Sequence, residues 1–449
     1  MWTPDRAGAS IGPFWFMPGW TRGNAATVWL ASFFSIGLAA YMSFVQPFLL
    51  NEVLKVPQEQ QGTLTGTLGL LQELVIIGLA GFIGTWSDRA GRRLVYCLGF
   101  IAMAAGYLIY PFASSVADLY IYRIAFALGV AVVPLMLSAC VVDAIQEPCR
   151  GKWIGSNNLL QGFGVVAMSL LLAKTPAWYL GMGADTVHAA RYAYWTAAGI
   201  ALFAAVLMGI GLPRKIAVQT GEQKPGMLAQ MYAALQVGMH NPRLAVAYGA
   251  AFIGRGDFVV IGAFFSLWIM QTGIDSGMSA GDSLARGGML FGIVQIAAMV
   301  WAFFMGMITD RLNRVTALSI ALGIAGTGYL LLGNVADPFA RSFIPVAVLV
   351  GMGEVSVIVT AGALLGQEAR IDLRGSIVGF YSAVGGVGIL FATGVGGIVF
   401  DKIGRTAPFT LMGLLNIVLL IAALVVRVRA GMPDAQATGL KSDKLIQQD

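Results

Sequence analysis

Five ionisable side chains stand where this chain has least room for charge. Glu73, Arg123, Arg255, Asp257 and Glu354 each interrupt a long apolar run. Ionisable groups inside such runs cost about 2.5–3.5 kcal/mol each on membrane-insertion scales, so they are candidates for binding or coupling. Arg255 and Asp257 fall in the stretch Gly254-Arg-Gly-Asp257. Two residues apart on a regular helix, they point about 200° away from each other, so they do not pair directly. The flanking glycines lower the cost of a local break, and interrupted membrane helices often build solute sites. The planar fork of Arg255 suits a carboxylate or other hydrogen-bonding group of an anionic solute. The rival reading is a static ion pair of Arg255 with Glu354 or Glu73 that clamps two helices.

The carboxylates suggest a second chemistry. An acid held at mid-membrane depth can load a proton on one side and release it when water or an arginine approaches. Glu73, Asp257 and Glu354 all qualify, and the residues do not choose among them. Arg123 differs, because it lies a few residues from the end of its apolar run, from which its head group can extend to the membrane surface. Other chemistries find no support. His188 and His240 are isolated, Cys97, Cys140 and Cys149 lack metal-ligand spacing, and no G-x-x-x-x-G-K-[ST] loop is present. The reading is of a non-enzyme with no catalytic residue, no metal and no cofactor.

The elements that must position these residues follow from composition. Of the 449 residues 57% are apolar and 11% charged, with a mean hydropathy of +0.77, against about 45–50% and about 25% in soluble domains. The solvent is therefore largely lipid. The net charge of +6 does not indicate nucleic acid, because the basic residues are scattered between apolar runs instead of clustered. Apolar runs predict twelve spans, near 26–50, 63–85, 93–113, 119–141, 155–174, 191–212, 243–270, 287–308, 315–335, 343–366, 376–400 and 407–427. Runs of this length without period-2 alternation are helical, so the fold class is an all-α multi-pass membrane protein. Lys and Arg concentrate in the segments on the side of the termini, which places both termini in the cytoplasm. The first 25 residues carry no removable secretory signal, and the first span serves as the start signal.

A repeat divides the chain. Gly84-Thr-Trp-Ser-Asp88-Arg89-Ala-Gly91-Arg92-Arg93 returns 222 positions later as Gly306-Met-Ile-Thr-Asp310-Arg311-Leu-Asn313-Arg314-Val315. At the same offset Gly129 meets Gly351 and Glu73 meets Gln295, which cannot titrate. At an offset of 224, Arg150-Gly151, Gly155, Gly162 and Gly164 meet Arg374-Gly375, Gly379, Gly386 and Gly388. Six spans separate the copies, so both have one orientation, and a pseudo-twofold axis along the membrane normal is expected to relate two six-helix bundles. The expected organisation is an N-terminal bundle over 1–212, a cytoplasmic connector over 213–242 with a candidate interfacial helix at 227–239, a C-terminal bundle over 243–427 and a cytoplasmic tail over 428–449. The glycine series in spans five and eleven reads first as close helix packing and second as hinges.

The G-x-x-x-D-R-x-G-R-R loop between spans two and three resembles the signature loop of the major facilitator superfamily. Six plus six spans with a basic central loop are similar to that family over nearly the whole chain. Leu119-x-x-x-Arg123 followed by Gly129 resembles a second family element. The resemblance implies a central cavity lined by spans 1, 4, 7 and 10 and rocking of the two halves. It also implies that Asp88 meets the start of span eleven, near Gly375, where free amides and the helix dipole favour an anion. Arg89 or Arg92 would then pair with Asp143 or Glu147 at the end of span four. On this reading Gly84, Asp88, Arg89, Gly91, Arg92, Asp143 and Glu147, with Asp310 and Arg311 of the second copy, form a conformational latch. A passive positive-inside anchor is the alternative.

Together these features predict a monomeric transporter in the cell membrane. It moves a small organic solute, polar or anionic, by alternating access, with protons as coupling ion. The lipid bilayer is its only other partner. Span five lacks the G-P-x-x-G-G element that resembles drug:proton antiporters, so efflux ranks second. A non-transporting multi-pass receptor is the alternative of another class.

Overall fold

The computed structural model describes residues 8–213, 227–369 and 373–429. Arg6, Arg214, Lys215, Lys224, Pro225, Arg370, Lys441 and Lys444 therefore lie outside the described residues. Twelve helices long and apolar enough to cross a membrane are present among those described. In chain order the helices are α1 (Arg22–Phe48), α2 (Gln58–Ala90), α3 (Arg92–Ile109), α4 (Val116–Asp143), α5 (Arg150–Leu171), the short α6 (Thr175–Gly181) and α7 (Thr186–Gly211). There follow α8 (Met227–His240), α9 (Pro242–Asp275), α10 (Ala280–Arg311), α11 (Arg314–Gly333), α12 (Phe343–Glu368), α13 (Arg374–Lys402) and α14 (Ala407–Arg429). α6 completes the span that α5 begins, α8 is not a span, each of the other helices is one, and each predicted span falls on one of these.

Local sequence sets where helices begin. Thr21 with Asn24, and Ser115 with Asp118, form reciprocal capping boxes at the starts of α1 and α4. Asp185 caps α7 by accepting from the His188 amide at 2.7 Å. The turn between α2 and α3 needs Gly91, whose φ of +92° is open to glycine and strained for other residues. In the second copy the chain turns differently. Asn313 has φ −57° and uses its side chain to cap α11, which is why a non-glycine stands there.

The chain forms two compact units by contact. The first is Met1–Thr220 with Gly262–Ile296 and Gly397–Arg405; the second is Gly221–Ile261 with Ala297–Gly396 and Thr406–Asp449. Parts of α9, α10 and α13 are counted with the first six spans in the first unit. In the first unit α3 packs on α4 and α7, and α1 on α5. Gly37 and Gly164 allow the last crossing, since a Cβ on Gly37 would lie 2.7 Å from the Gly164 carbonyl and one on Gly164 would strike the Phe33 carbonyl. In the second unit α11 packs on α12 and α14. A Cβ on Gly388 would strike the Phe252 backbone, so the glycines at 164 and 388, related by the repeat, serve the same close packing in the two units. The candidate interfacial helix at 227–239 is α8. It brings Ala234 into a cluster with Leu244, Tyr248, Leu365 and Ile377.

The amino-terminal segment holds a feature absent from the sequence reading. Ser10–Ile11 and Phe14–Trp15 pair as a two-stranded hairpin, and Phe16 bridges to Ile145 in the turn after α4. The Gln146 amide donates to the Trp15 carbonyl at 3.0 Å and the Met17 amide to the Ala144 carbonyl at 3.0 Å. Phe14 and Phe16 meet the Trp153 ring edge-on, at centroid distances of 5.5 and 5.2 Å. The hairpin thus straps the loop that follows Asp143.

Candidate functional site

α9 is continuous from Pro242 to Asp275, so the expected break at Gly254–Asp257 does not occur. The glycines have a packing reason instead. A Cβ on Gly254 would lie 3.2 Å from Val357, and one on Gly256 would lie 2.8 Å from Met412. An unbroken helix keeps Arg255 and Asp257 on different sides, as their spacing requires. Asp257 is fully buried, and its two carboxylate oxygens accept from the single Asn416 Nδ2 at 3.1 and 3.0 Å. Its backbone carbonyl accepts from Tyr329 Oη at 2.9 Å. Asn416 on α14 is itself fully buried, and its Oδ1 accepts no hydrogen bond among the described residues. Glu354 on α12 is buried near enough to act electrostatically on Asp257. These four residues form a polar cluster inside the second unit.

Arg255 faces the other way. It is exposed, and it forms no ion pair or hydrogen bond among the described residues. Among the described residues the static pairing with Glu354 is therefore absent, because the helix turns the guanidinium away from the buried acids of its own unit. Gly385 on α13 makes room for its stem, since a Cβ there would lie 2.9 Å from Arg255 Cγ, and Tyr381 is within electrostatic reach. Glu73 is half-buried on α2.

Arg123 is only 3% exposed and does not reach out to the surface, contrary to the snorkelling alternative. Polar partners inside the first unit hold it. Its Nη1 donates to Gln46 Oε1 at 3.1 Å and its Nη2 to Ser43 Oγ at 3.3 Å, while its guanidinium lies 5.8 Å from the Phe126 ring centre. Gln46 Oε1 also accepts from Tyr110 Oη at 3.0 Å, and Gln46 Nε2 donates to Thr65 Oγ1 at 3.2 Å. The Arg123 Nε is buried without a hydrogen-bond partner among the described residues. No carboxylate forms an ion pair with it among the described residues.

The motif loop brings together only part of its expected set. Arg92 Nη1 lies 2.6 Å from Asp88, its Nε 3.1 Å from Asp143, and its Nη1 also donates to Ser87 Oγ at 2.5 Å. Arg92 and Asp143 thus meet as the resemblance implies. Glu147 does not join them: the short turn after α4 directs it to Arg150, at 2.5 Å. Arg89 is exposed, and a Cβ on Gly84 would meet nothing within 4 Å. In the second copy Asp310 pairs with Arg314 at 3.1 Å, and Arg311 is exposed. In both copies the Asp thus pairs with the Arg four residues on in its own loop.

Two features escaped the sequence reading. Asn416 is one polar residue in a long apolar run, the same signal that singled out the charged groups. Asp401-Lys-Ile-Gly404-Arg405 repeats the D-[RK]-x-G-R order of Asp88–Arg92 after the eleventh span, a third copy that the halves' common offset does not generate.

Comparison with known proteins agrees with this architecture. The sequence profile of the Major Facilitator Superfamily matches residues 27–300 and 247–445. Magnetosome protein MamH of Paramagnetospirillum magneticum is 26% identical over 85% of this chain and 87% of its own length. The class D tetracycline resistance protein of Salmonella ordonez is 26% identical over 82% of this chain and 86% of its own. The crystal structure of the nucleoside transporter NupG superposes with a TM-score of 0.69 at 12% identity, covering 90% of this chain and 98% of that one, a likeness of fold alone. With the profile matched across both halves and twelve spanning helices beneath it, the chain belongs to the Major Facilitator Superfamily of membrane transporters.

Proposed function

We propose that this transporter moves a small organic solute, polar or anionic, by alternating access, driven by protons. The observation that carries the reading is the division of labour on α9, where an exposed Arg255, unpaired among the described residues, stands two residues from a buried Asp257. A guanidinium near the middle of a membrane span is too costly to face lipid, so it faces water or an anionic group of the cargo. Asp257, held by Asn416 and close to Glu354, is the carboxylate best placed to take up and release the coupling proton, since among the described residues it has hydrogen bonds but no ion-pair partner. Motion of α9 moves both groups together, which links cargo to proton. Asp88, Arg92 and Asp143 act as the latch at the motif loop, because partly exposed pairs each contribute roughly 0–1 kcal/mol and so can break within a cycle. The protein acts as a monomer in the cell membrane with both termini in the cytoplasm.

The test is solute uptake into proteoliposomes, with and without an imposed pH gradient. Arg255→Ala is expected to abolish uptake at normal protein yield; loss of folded protein instead would point to a structural role. Similarity to a tetracycline resistance protein favours a second reading, proton-driven efflux. It predicts that a pH gradient of the opposite sense drives accumulation in inverted vesicles.

A further inference from the structure

Where α6 turns into α7, between the ends of two successive spans, the first unit opens into a cleft of about 910 Å3 that holds none of the groups assigned to cargo or proton. Tyr179, Asp185, His188, Tyr192, Trp195 and Thr196 line it. The spacing of His188, Tyr192, Trp195 and Thr196 puts them on one face of α7, and Tyr179 comes from α6. The Tyr192 ring is the centre of the group, with ring centroids of Tyr179 at 5.3 Å, Trp195 at 5.9 Å and His188 at 6.0 Å. Hydrogen bonds fix the walls. Thr196 Oγ1 donates to the Tyr192 carbonyl at 2.7 Å, so at 2.8 Å Tyr179 Oη is the donor to Thr196 Oγ1. Trp195 Nε1 donates to the Leu108 carbonyl at 3.3 Å. The polar tips of Tyr179 and Trp195 are thus spent on the protein, and what they offer a ligand is ring surface.

Two properties set what the cleft accepts. It carries a negative charge, because Asp185 Oδ1 accepts from the His188 amide at 2.7 Å and lies 2.8 Å from His188 Nδ1, bonds that hold its carboxyl below the ordinary carboxylate range. Among the described residues no Lys or Arg lines the cleft. Arg191, beside Tyr192 in the sequence, instead sets its guanidinium 4.9 Å from the Phe112 ring centre. The cleft is also aromatic, and ring faces attract a cation that approaches within about 6 Å. A primary ammonium brings three donors that need acceptors, whereas a quaternary ammonium brings none, so the latter suits ring surface with a single carboxylate. We propose that this cleft binds the choline head group of a membrane phospholipid. Its place at the ends of two spans is the depth at which head groups lie. Trp178 and Met182 flank it with 51% and 79% of their surface exposed, apolar area for the acyl chains to cover. A simple interfacial anchor, the other use of Tyr and Trp at this depth, needs neither the cleft nor the acid.

The test needs no transport. The purified full-length chain in detergent is incubated with equal amounts of phosphatidylcholine and phosphatidylglycerol of the same acyl chains, and native mass spectrometry counts the lipid retained. The parent should retain phosphatidylcholine about tenfold over phosphatidylglycerol. Equal retention would overturn the proposal without recourse to any variant and leave the rings as a membrane anchor. Asp185→Asn removes the charge but keeps an acceptor for the helix cap, and Tyr192→Leu removes the central ring. Each should abolish the preference, whereas Tyr192→Phe, which keeps the ring, should match the parent. A preference unchanged in Asp185→Asn and Tyr192→Leu would put the lipid elsewhere and overturn this site. Choline chloride separates a free ligand from a lipid. Thermal stabilisation by phosphatidylcholine is expected at concentrations about a hundredfold lower than by choline, since the acyl chains add buried CH2 groups; equal potency would overturn the lipid as occupant.

Discussion

Replacing Asp257 by Asn separates the role of its charge from that of its shape. The side chain is fully buried, and among the described residues it accepts from Asn416 Nδ2 alone, at 3.1 and 3.0 Å. Hydrogen bonds to a charged group contribute about 1.5–3 kcal/mol each, and a shared donor gives less than two full bonds. Holding a carboxylate away from water costs several kcal/mol. The two terms are similar in size, and Asn keeps one acceptor for Asn416, so Asp257→Asn should change stability by less than about 2 kcal/mol. Asn416→Ala is the contrasting perturbation. It removes the donor and leaves the acid buried with nothing to hold it, which costs about 3–5 kcal/mol when the group is charged. Thermal unfolding of the purified proteins should therefore show Asp257→Asn close to the parent and Asn416→Ala well below it, with the double variant recovering most of the loss. In proteoliposomes Asp257→Asn should be folded yet insensitive to an imposed pH gradient. Gradient-driven flux equal to the parent's would refute the assignment of the proton to Asp257.

Two further expectations concern helix packing and a helix cap. Within α5, Gly164→Ala should destabilise by about 1–3 kcal/mol, because the added Cβ meets the Phe33 carbonyl. Gly155→Ala meets nothing within 4 Å and should stabilise by about 0.5–1 kcal/mol, so thermal shifts of opposite sign are expected from one helix and equal shifts would count against the packing. At the start of α7, accepting the His188 amide hydrogen bond holds the Asp185 carboxyl below the ordinary carboxylate range. Its contribution is present above the ordinary value and lost as pH falls through the lowered one, so the amide-exchange protection factors over residues 186–189, with the intrinsic pH dependence divided out, should fall only in that acidic window. Asp185→Asn should make those protection factors independent of pH there.

Much of the architecture was legible because lipid imposes a simple rule: a chain that crosses it does so in long apolar helices. Each predicted span lies on a helix for that reason, and the ends extend a few residues further because caps such as Thr21 and Ser115 stand outside the apolar runs. The motif loop was legible as a repeat, and the pairing of Arg92 with Asp143 is one of those that its resemblance to the family's signature loop implies. What failed was local geometry. Gly254 and Gly256 suggested a break because glycine permits one, yet the same residue type also admits a neighbouring helix, and here Val357 and Met412 fill that space. Arg123 read as free to snorkel because the sequence does not show that Gln46, Ser43 and the Phe126 ring converge on it from α1 and α4. Asn416 was missed since a neutral amide barely lowers the hydropathy of its run. The hairpin at residues 10–15 was missed because strands of two residues leave no periodic trace.

The most direct measurement of the central claim is flux of a binding solute, found by thermal shift against solute classes, into liposomes holding the purified wild-type protein or Arg255→Ala under an imposed pH gradient. The account predicts gradient-dependent accumulation with the wild type and none with a folded Arg255→Ala. Equal accumulation by the two proteins would contradict it.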